Sequence, residues 1–150
     1  MFNIKIEKNE FFNDWGDLIV KSKIIINDFS EYFDLPVSYW KVNDYKRSWV
    51  KSISQILNKN KDRAILFTSM YDLEKVNFLH SWIVYKKGNS AFIQNCILFR
   101  DDFNEFSLEN IFKYIPDREI YSEYGEKISE WTTDFENIIR FYDKLKFELK

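Results

Sequence analysis

The chain has one cysteine, one histidine, two prolines and three glycines in 150 residues. Each scarcity excludes something. A lone Cys96 can form no internal disulfide, which fits a reducing compartment. One histidine, His80, and one cysteine cannot make the His/Cys cluster of a zinc site. There is no Gly-rich phosphate loop, and no Walker, GxSxG or HExxH string occurs. Few Gly and Pro also argue against low-complexity disorder. The longest apolar runs, such as residues 24–26 and 64–67, fall far short of the ~20 residues that cross a bilayer. Residues 1–16 show no basic stretch followed by an apolar one, so a soluble, cytoplasmic protein is expected.

What is present is aromatic and unevenly charged. Aromatic residues make up 19% of the chain, and apolar residues 45%, enough for a core of large flat side chains. Residues 101–136 hold eleven carboxylates: Asp101, Asp102, Glu105, Glu109, Asp117, Glu119, Glu123, Glu126, Glu130, Asp134 and Glu136. Only Lys113, Arg118 and Lys127 oppose them, so this stretch carries −8 while the whole chain carries −2. A one-signed surface steers association with an oppositely charged molecule, and a basic protein is the natural partner.

Periodicity gives the elements. Residues 4–8 alternate weakly, and residues 21–33 form a better strand region. Pro36 interrupts, and residues 37–40 read as a short extended piece. Asn43 is a candidate N-cap for a helix whose stripe is Tyr45, Trp49, Val50, Ile53, Ile56 and Leu57. Strands are expected over 63–69, 79–86 and 90–99. Gly88-Asn89 forms a two-residue turn that sets Tyr85 opposite Phe92 and Ile83 opposite Gln94. The second of these strands is apolar on both faces, which places it inside a covered sheet. Ser107 caps a short helix over 108–115, stopped by Pro116. Residues 117–126 read as a charged loop turning at Gly125, and residues 128–131 as a short strand. Thr133 to Glu136 has the form of a capping box. It opens a last helix with Phe135, Ile138, Ile139, Tyr142, Leu145 and Leu149 on one face. With no linker or repeat, the expectation is one α+β domain over residues 1–150. It would have a mainly antiparallel sheet, with two main amphipathic helices and one short helix packed on it.

Chemical candidates are thin. Asp101-Asp102 suits a solvated turn better than a magnesium site. His80 could act as a general base, but no nucleophile is placed beside it by motif. Cys96 alternates with Gln94 and Leu98 on a strand and reads as a structural thiol. Eleven acids in thirty-six residues make chance pairs such as Glu123 and Glu126 unavoidable, so they do not specify glycoside hydrolysis. Lys46, Arg47 and Lys51 give the first helix a cationic side, yet the negative net charge disfavours nucleic acid. No cofactor or metal is expected.

Several short strings occur in order: Tyr39-Trp40; Asp44-Tyr45 and Trp49; residues 64–67 followed by Thr68-Ser69-Met70 and Asp72; Trp82 and Tyr85; Gln94-Asn95; Glu123-Tyr124-Gly125; and Ile128-Ser129-Glu130-Trp131. This succession, over roughly residues 30–132, resembles the immunity proteins of bacterial contact-dependent growth inhibition systems. The resemblance implies a non-enzymatic cytoplasmic protein. Its partner would be the C-terminal toxin domain of a cell-surface effector, commonly a nuclease, whose active site or substrate surface it masks. The matched aromatic residues are expected to hold the scaffold. The candidate toxin contacts are the exposed acids Asp101, Asp102, Glu105, Glu109, Asp117, Glu119, Glu123 and Glu126. Phe103, Phe106, Tyr121 and Tyr124 are candidate anchors. The alternatives are a small carboxylate-dependent hydrolase using His80 and a nucleic-acid-binding module.

Overall fold

The computed structural model describes residues 1–102, 107 and 109–150. Among the described residues seven strands and two α-helices follow in the order β1 (Phe2–Phe12), β2 (Leu18–Ile26), β3 (Phe29–Pro36), α1 (Val42–Lys59), β4 (Arg63–Phe67), β5 (Phe78–Lys87), β6 (Ser90–Phe99), β7 (Trp131–Asp134) and α2 (Phe135–Glu148). This is the α+β architecture expected, with every pairing of these strands antiparallel rather than most of them, but the strands divide into two sheets, β1-β2-β3 and β4-β5-β6-β7. The strand region read over 21–33 is therefore two strands. Asn27, at φ 53°, turns the chain between them, a conformation Asn tolerates better than most residues.

The hairpin of β5 and β6 has the register derived from its turn, with Tyr85 opposite Phe92 and Ile83 opposite Gln94. Gly88 supplies the positive φ of 60°. β5 lies inside its sheet, and Ser81 through Tyr85 are buried on both faces. One core cluster then runs from Phe2 in β1 to Leu145 in α2, joining both sheets and both helices. Phe2 meets Phe141 edge to face at 5.0 Å. Phe141 is buried on α2 although it lay off the expected stripe.

α1 buries Tyr45, Ser48, Trp49, Ser52, Ile53 and Ile56, so two serines join the apolar stripe while Val50 and Leu57 sit at its margin. Ser52 has a physical use. β4 is the edge of its sheet, and an open edge presents unpaired backbone groups. Ser52 Oγ accepts from the Ile65 N–H at 2.8 Å, and Trp49 Nε1 donates to the Phe67 carbonyl at 2.9 Å. The helix thus satisfies two backbone groups on the open edge of the strand. Tyr45 ties the end of β3 to the segment after β4, donating to the Pro36 carbonyl at 2.7 Å and accepting from the Met70 N–H at 2.9 Å.

Several boundaries differ from the sequence reading; β1 is longer than residues 4–8, and β4 stops at Phe67 rather than residue 69. α1 starts after Lys41, whose N–H donates to Asp44 at 2.8 Å; Asn43 lies inside the helix. The short helix shrinks to a 3-10 turn, Ile111–Tyr114. The strand read over 128–131 lies later, as β7, because pairing Ile93 with Trp131 and Ser90 with Asp134 holds those residues extended. That pairing also removes the capping box. The N-cap is Asp134, and the Thr133 hydroxyl donates instead to Asn27 Oδ1 at 3.1 Å while accepting from Asn137 at 2.9 Å.

Asn27 accordingly links the sheets. Its Nδ2 donates to the Thr132 carbonyl of β7 at 2.9 Å. Beside it Phe29 stacks on Trp131 with ring centroids 4.2 Å apart, and Trp82 approaches both.

Candidate partner-binding surface

The acidic stretch leaves β6 and returns as β7, so the sheet decides where its charges go. Pro116 follows the 3-10 turn, with Ile111 and Ile115 buried beneath it. Residues 115–119 then lie across one face of the four-stranded sheet. Side chains on that face of β4, β5 and β6 bind their carbonyls one after another. Arg63 donates to Ile115 at 3.3 Å, Tyr85 to Pro116 at 2.8 Å, and Gln94 to Glu119 at 2.9 Å. The register places Arg63 opposite Tyr85 and Tyr85 opposite Phe92, so these groups share a face.

The loop is closed at its neck. Arg118 and Glu130 form a bidentate pair at 2.8 and 2.6 Å, with the guanidinium 4.0 Å above the Phe92 ring. Gln94 donates to the same carboxylate at 2.7 Å. These bonds hold the Glu130 carboxyl below its ordinary value, led by the bond from Arg118 and opposed by burial. Inside the neck, Tyr121 bridges to Lys127, and the Ser122 N–H donates to the Glu126 carbonyl at 2.7 Å. Gly125, at φ 81°, makes the turn. Residues 120–128 form an ordered projection rather than a slack loop.

Its outer surface carries the predicted residues. Tyr124 is 84% exposed and Tyr121 59%. Glu119, Glu123 and Glu126 are exposed, with no ion pair among the described residues. Asp117 is exposed as well but pairs with Arg63 at 2.8 Å, which offsets its charge within the chain. Asp101 and Asp102 are exposed in a 3-10 turn, Arg100–Asp102, that follows the far end of β6. Glu109 is exposed separately, near the second 3-10 turn. Glu105, Phe103 and Phe106 lie outside the described residues. The structure thus gathers Asp117, Glu119, Tyr121, Glu123, Tyr124 and Glu126, and sets Asp101 and Asp102 apart. Six residues of strand and turn separate Gln94 from Asp101, about 20 Å. A standard interface of about 800 Å² per partner is wide enough to reach both.

One exposed group was not found in the sequence. Phe78 opposes Phe99, and His80 opposes Ile97, on one face of β5 and β6. All four are exposed. Phe78 meets His80 edge to face at 5.4 Å. The register derived from Gly88-Asn89 implies these pairs, but sequence alone could not show that the sheet leaves them uncovered. Next to them a cleft of ≈ 300 Å³ is lined by Glu31, Asp34, Ser69, His80, Trp82 and Asn95, among others. Ser69 Oγ accepts the His80 backbone N–H at 2.8 Å, and no hydroxyl-to-imidazole bond is formed among the described residues. The described residues also contain no group of three His, Cys, Asp or Glu side chains that could hold a metal ion. Cys96 is half-buried on β6, and burial raises its thiol pKa. No helix is long and apolar enough to cross a membrane among the described residues.

Known proteins supply the context for this surface. The family model described as CdiI N-terminal domain matches residues 35–141. A curated relative from Enterobacter cloacae subsp. cloacae, named immunity protein CdiI, is 41% identical over 145 residues, covering 97% of this chain and 99% of that protein. A solved structure described as a CdiA-CT/CdiI toxin and immunity complex from Enterobacter cloacae superposes with a TM-score of 0.91 at 40% identity, covering 97% of this chain and 99% of that one.

Proposed function

The chain belongs to the CdiI N-terminal domain family, and on that premise we propose that it is an immunity protein that binds and neutralises a cognate CdiA-CT-type toxin domain. The observation that carries this reading is the full-length match, in sequence and in fold, to an immunity protein and to a solved toxin and immunity complex. Neutralisation by binding is stoichiometric and needs no turnover. What it needs is a preformed surface, fast encounter and slow release.

The acidic projection fits the first two needs. A neck fixed by Arg118, Glu130 and Gln94 lowers the ordering cost of docking. Glu119, Glu123 and Glu126, with Asp101 and Asp102, set up a negative potential that speeds encounter with a cationic face. A nuclease presents such a face, because its substrate is a polyanion. We therefore take the toxin to be a nuclease acting in the cytoplasm, its active site or substrate surface masked in the complex. Tyr121 and Tyr124 supply contact area at low entropic cost.

Co-expression with the toxin domain encoded beside this chain tests the reading. Restored growth and a 1:1 complex of the purified proteins are expected. Undiminished toxicity in the presence of this chain rejects it for that pair.

A further inference from the structure

The tip of the β1–β2 hairpin has no explanation within the monomer. Phe12 and Leu18 are its last paired residues, and residues 13–17 connect them. Trp15 is 88% exposed there, and Phe12 71%. The other four tryptophans are buried or half-buried. Trp15 makes no ring contact or side-chain hydrogen bond among the described residues. An indole gains most when buried, so leaving one in water contributes nothing to folding.

The turn that presents it is nevertheless rigid. Asn13 Oδ1 accepts the N–H groups of Trp15 at 3.0 Å and Asp17 at 2.9 Å. The Asn13 N–H donates to the Asp17 carbonyl at 2.9 Å, and the Gly16 N–H to the Asn13 carbonyl at 3.1 Å. Gly16 takes φ 83°, which few other residues would accept. At the base, the Tyr71 hydroxyl donates to Asp17 at 3.4 Å. A rigid turn holding a bare aromatic side chain is pre-organised for a partner.

The charges name the partner's chemistry. Residues 7–17 carry Glu7, Glu10, Asp14 and Asp17 against Lys8 alone. The arm therefore complements an apolar recess bordered by Lys or Arg. It lies before residues 35–141, the range of the family match. We propose that this arm is a second attachment point for the toxin domain, with Trp15 as a buried anchor and Glu10, Asp14 and Asp17 as its charged rim. This rests on the immunity reading above. The acidic projection steers encounter, and the arm slows release.

The test uses the full chain and the purified toxin domain. Trp15→Ala, Trp15→Phe and the exposed control Phe147→Ala are compared with the parent by surface plasmon resonance. Trp15→Ala should raise the dissociation rate about tenfold or more, as truncating a hot-spot residue does, and leave the association rate within about threefold. Its urea midpoint should match the parent's, since the side chain is solvated. In ¹⁹F NMR of the 5-fluorotryptophan-labelled chain, the resonance missing in Trp15→Phe should shift on adding toxin. Parent-like dissociation of Trp15→Ala, or an unmoved Trp15 resonance in a formed complex, overturns the proposal while the immunity reading stands. Failure of the parent chain to bind the toxin overturns both.

Discussion

Arg118 and Glu130 meet through two hydrogen bonds, Nε to Oε2 at 2.8 Å and Nη2 to Oε1 at 2.6 Å, and so close the acidic projection at its neck. Both side chains are mostly shielded, at 23% and 16% exposure, so this pair is worth more than a solvated one. Glu130→Gln should cost about 1–2 kcal/mol at neutral pH. The sign of the pH dependence follows from the lowered folded pKa. The contribution is present above the ordinary 4.5 of a glutamate and is lost as pH falls through the lower folded value. Urea midpoints of parent and variant should therefore converge as the solution is acidified below that point. A gap that stays constant on acidification would refute the assignment.

Ser52 protects the edge of β4 from inside the fold. Ser52→Ala leaves the buried Ile65 N–H without its acceptor, and a loss of about 1–3 kcal/mol is expected. Ser54→Ala, on the same helix but only partly buried, provides the comparison. Equal urea midpoints for the two variants would show that the edge finds another partner.

Asn27 combines a backbone role with a side-chain role, and two substitutions separate them. Asn27→Gly keeps the positive φ and removes the bonds to Thr132 and Thr133, at a cost of about 1 kcal/mol. Asn27→Ala loses the same bonds and adds left-handed strain, about 1 kcal/mol more. Thermal unfolding of the three proteins should rank them parent, Gly, Ala. Equal midpoints for Gly and Ala would remove the backbone component.

Glu119, Glu123 and Glu126 are expected to act at a distance. Changing all three to Gln should lower the association rate with the toxin domain about tenfold at low salt and leave the dissociation rate within about twofold. Near 1 M salt the difference should vanish, because screening shortens the reach of exposed charges to about 3 Å. A change confined to dissociation would mean that these carboxylates are direct contacts.

Local chemistry was legible where it is self-contained. Gly88-Asn89 determined the β5–β6 register, and the doubly apolar pattern of residues 82–85 correctly placed β5 inside a sheet. The α1 stripe is legible apart from Ser48 and Ser52, polar residues whose burial the apolar pattern does not signal, and the use of Ser52 lies on β4. Thr133 to Glu136 has the composition of a capping box, but competition from β6 pairing and from Asn27 redirects its hydroxyl. The two-residue turn at Asn27 went unread because the apolar residues on either side suggest one continuous strand.

The sequence by itself determined an α+β chain, its excess of acid over residues 101–136, and its likeness to immunity proteins. These follow from composition, short-range periodicity and ordered strings, all carried by neighbouring residues. Tertiary structure alone decided which acids project together, which one Arg63 offsets, and which aromatic side chains remain in water. Exposure and pairing are set by what packs from elsewhere in the chain. Tyr142 and Tyr124 are both tyrosines, yet α2 turns the first into the core and the closed neck holds the second in solvent.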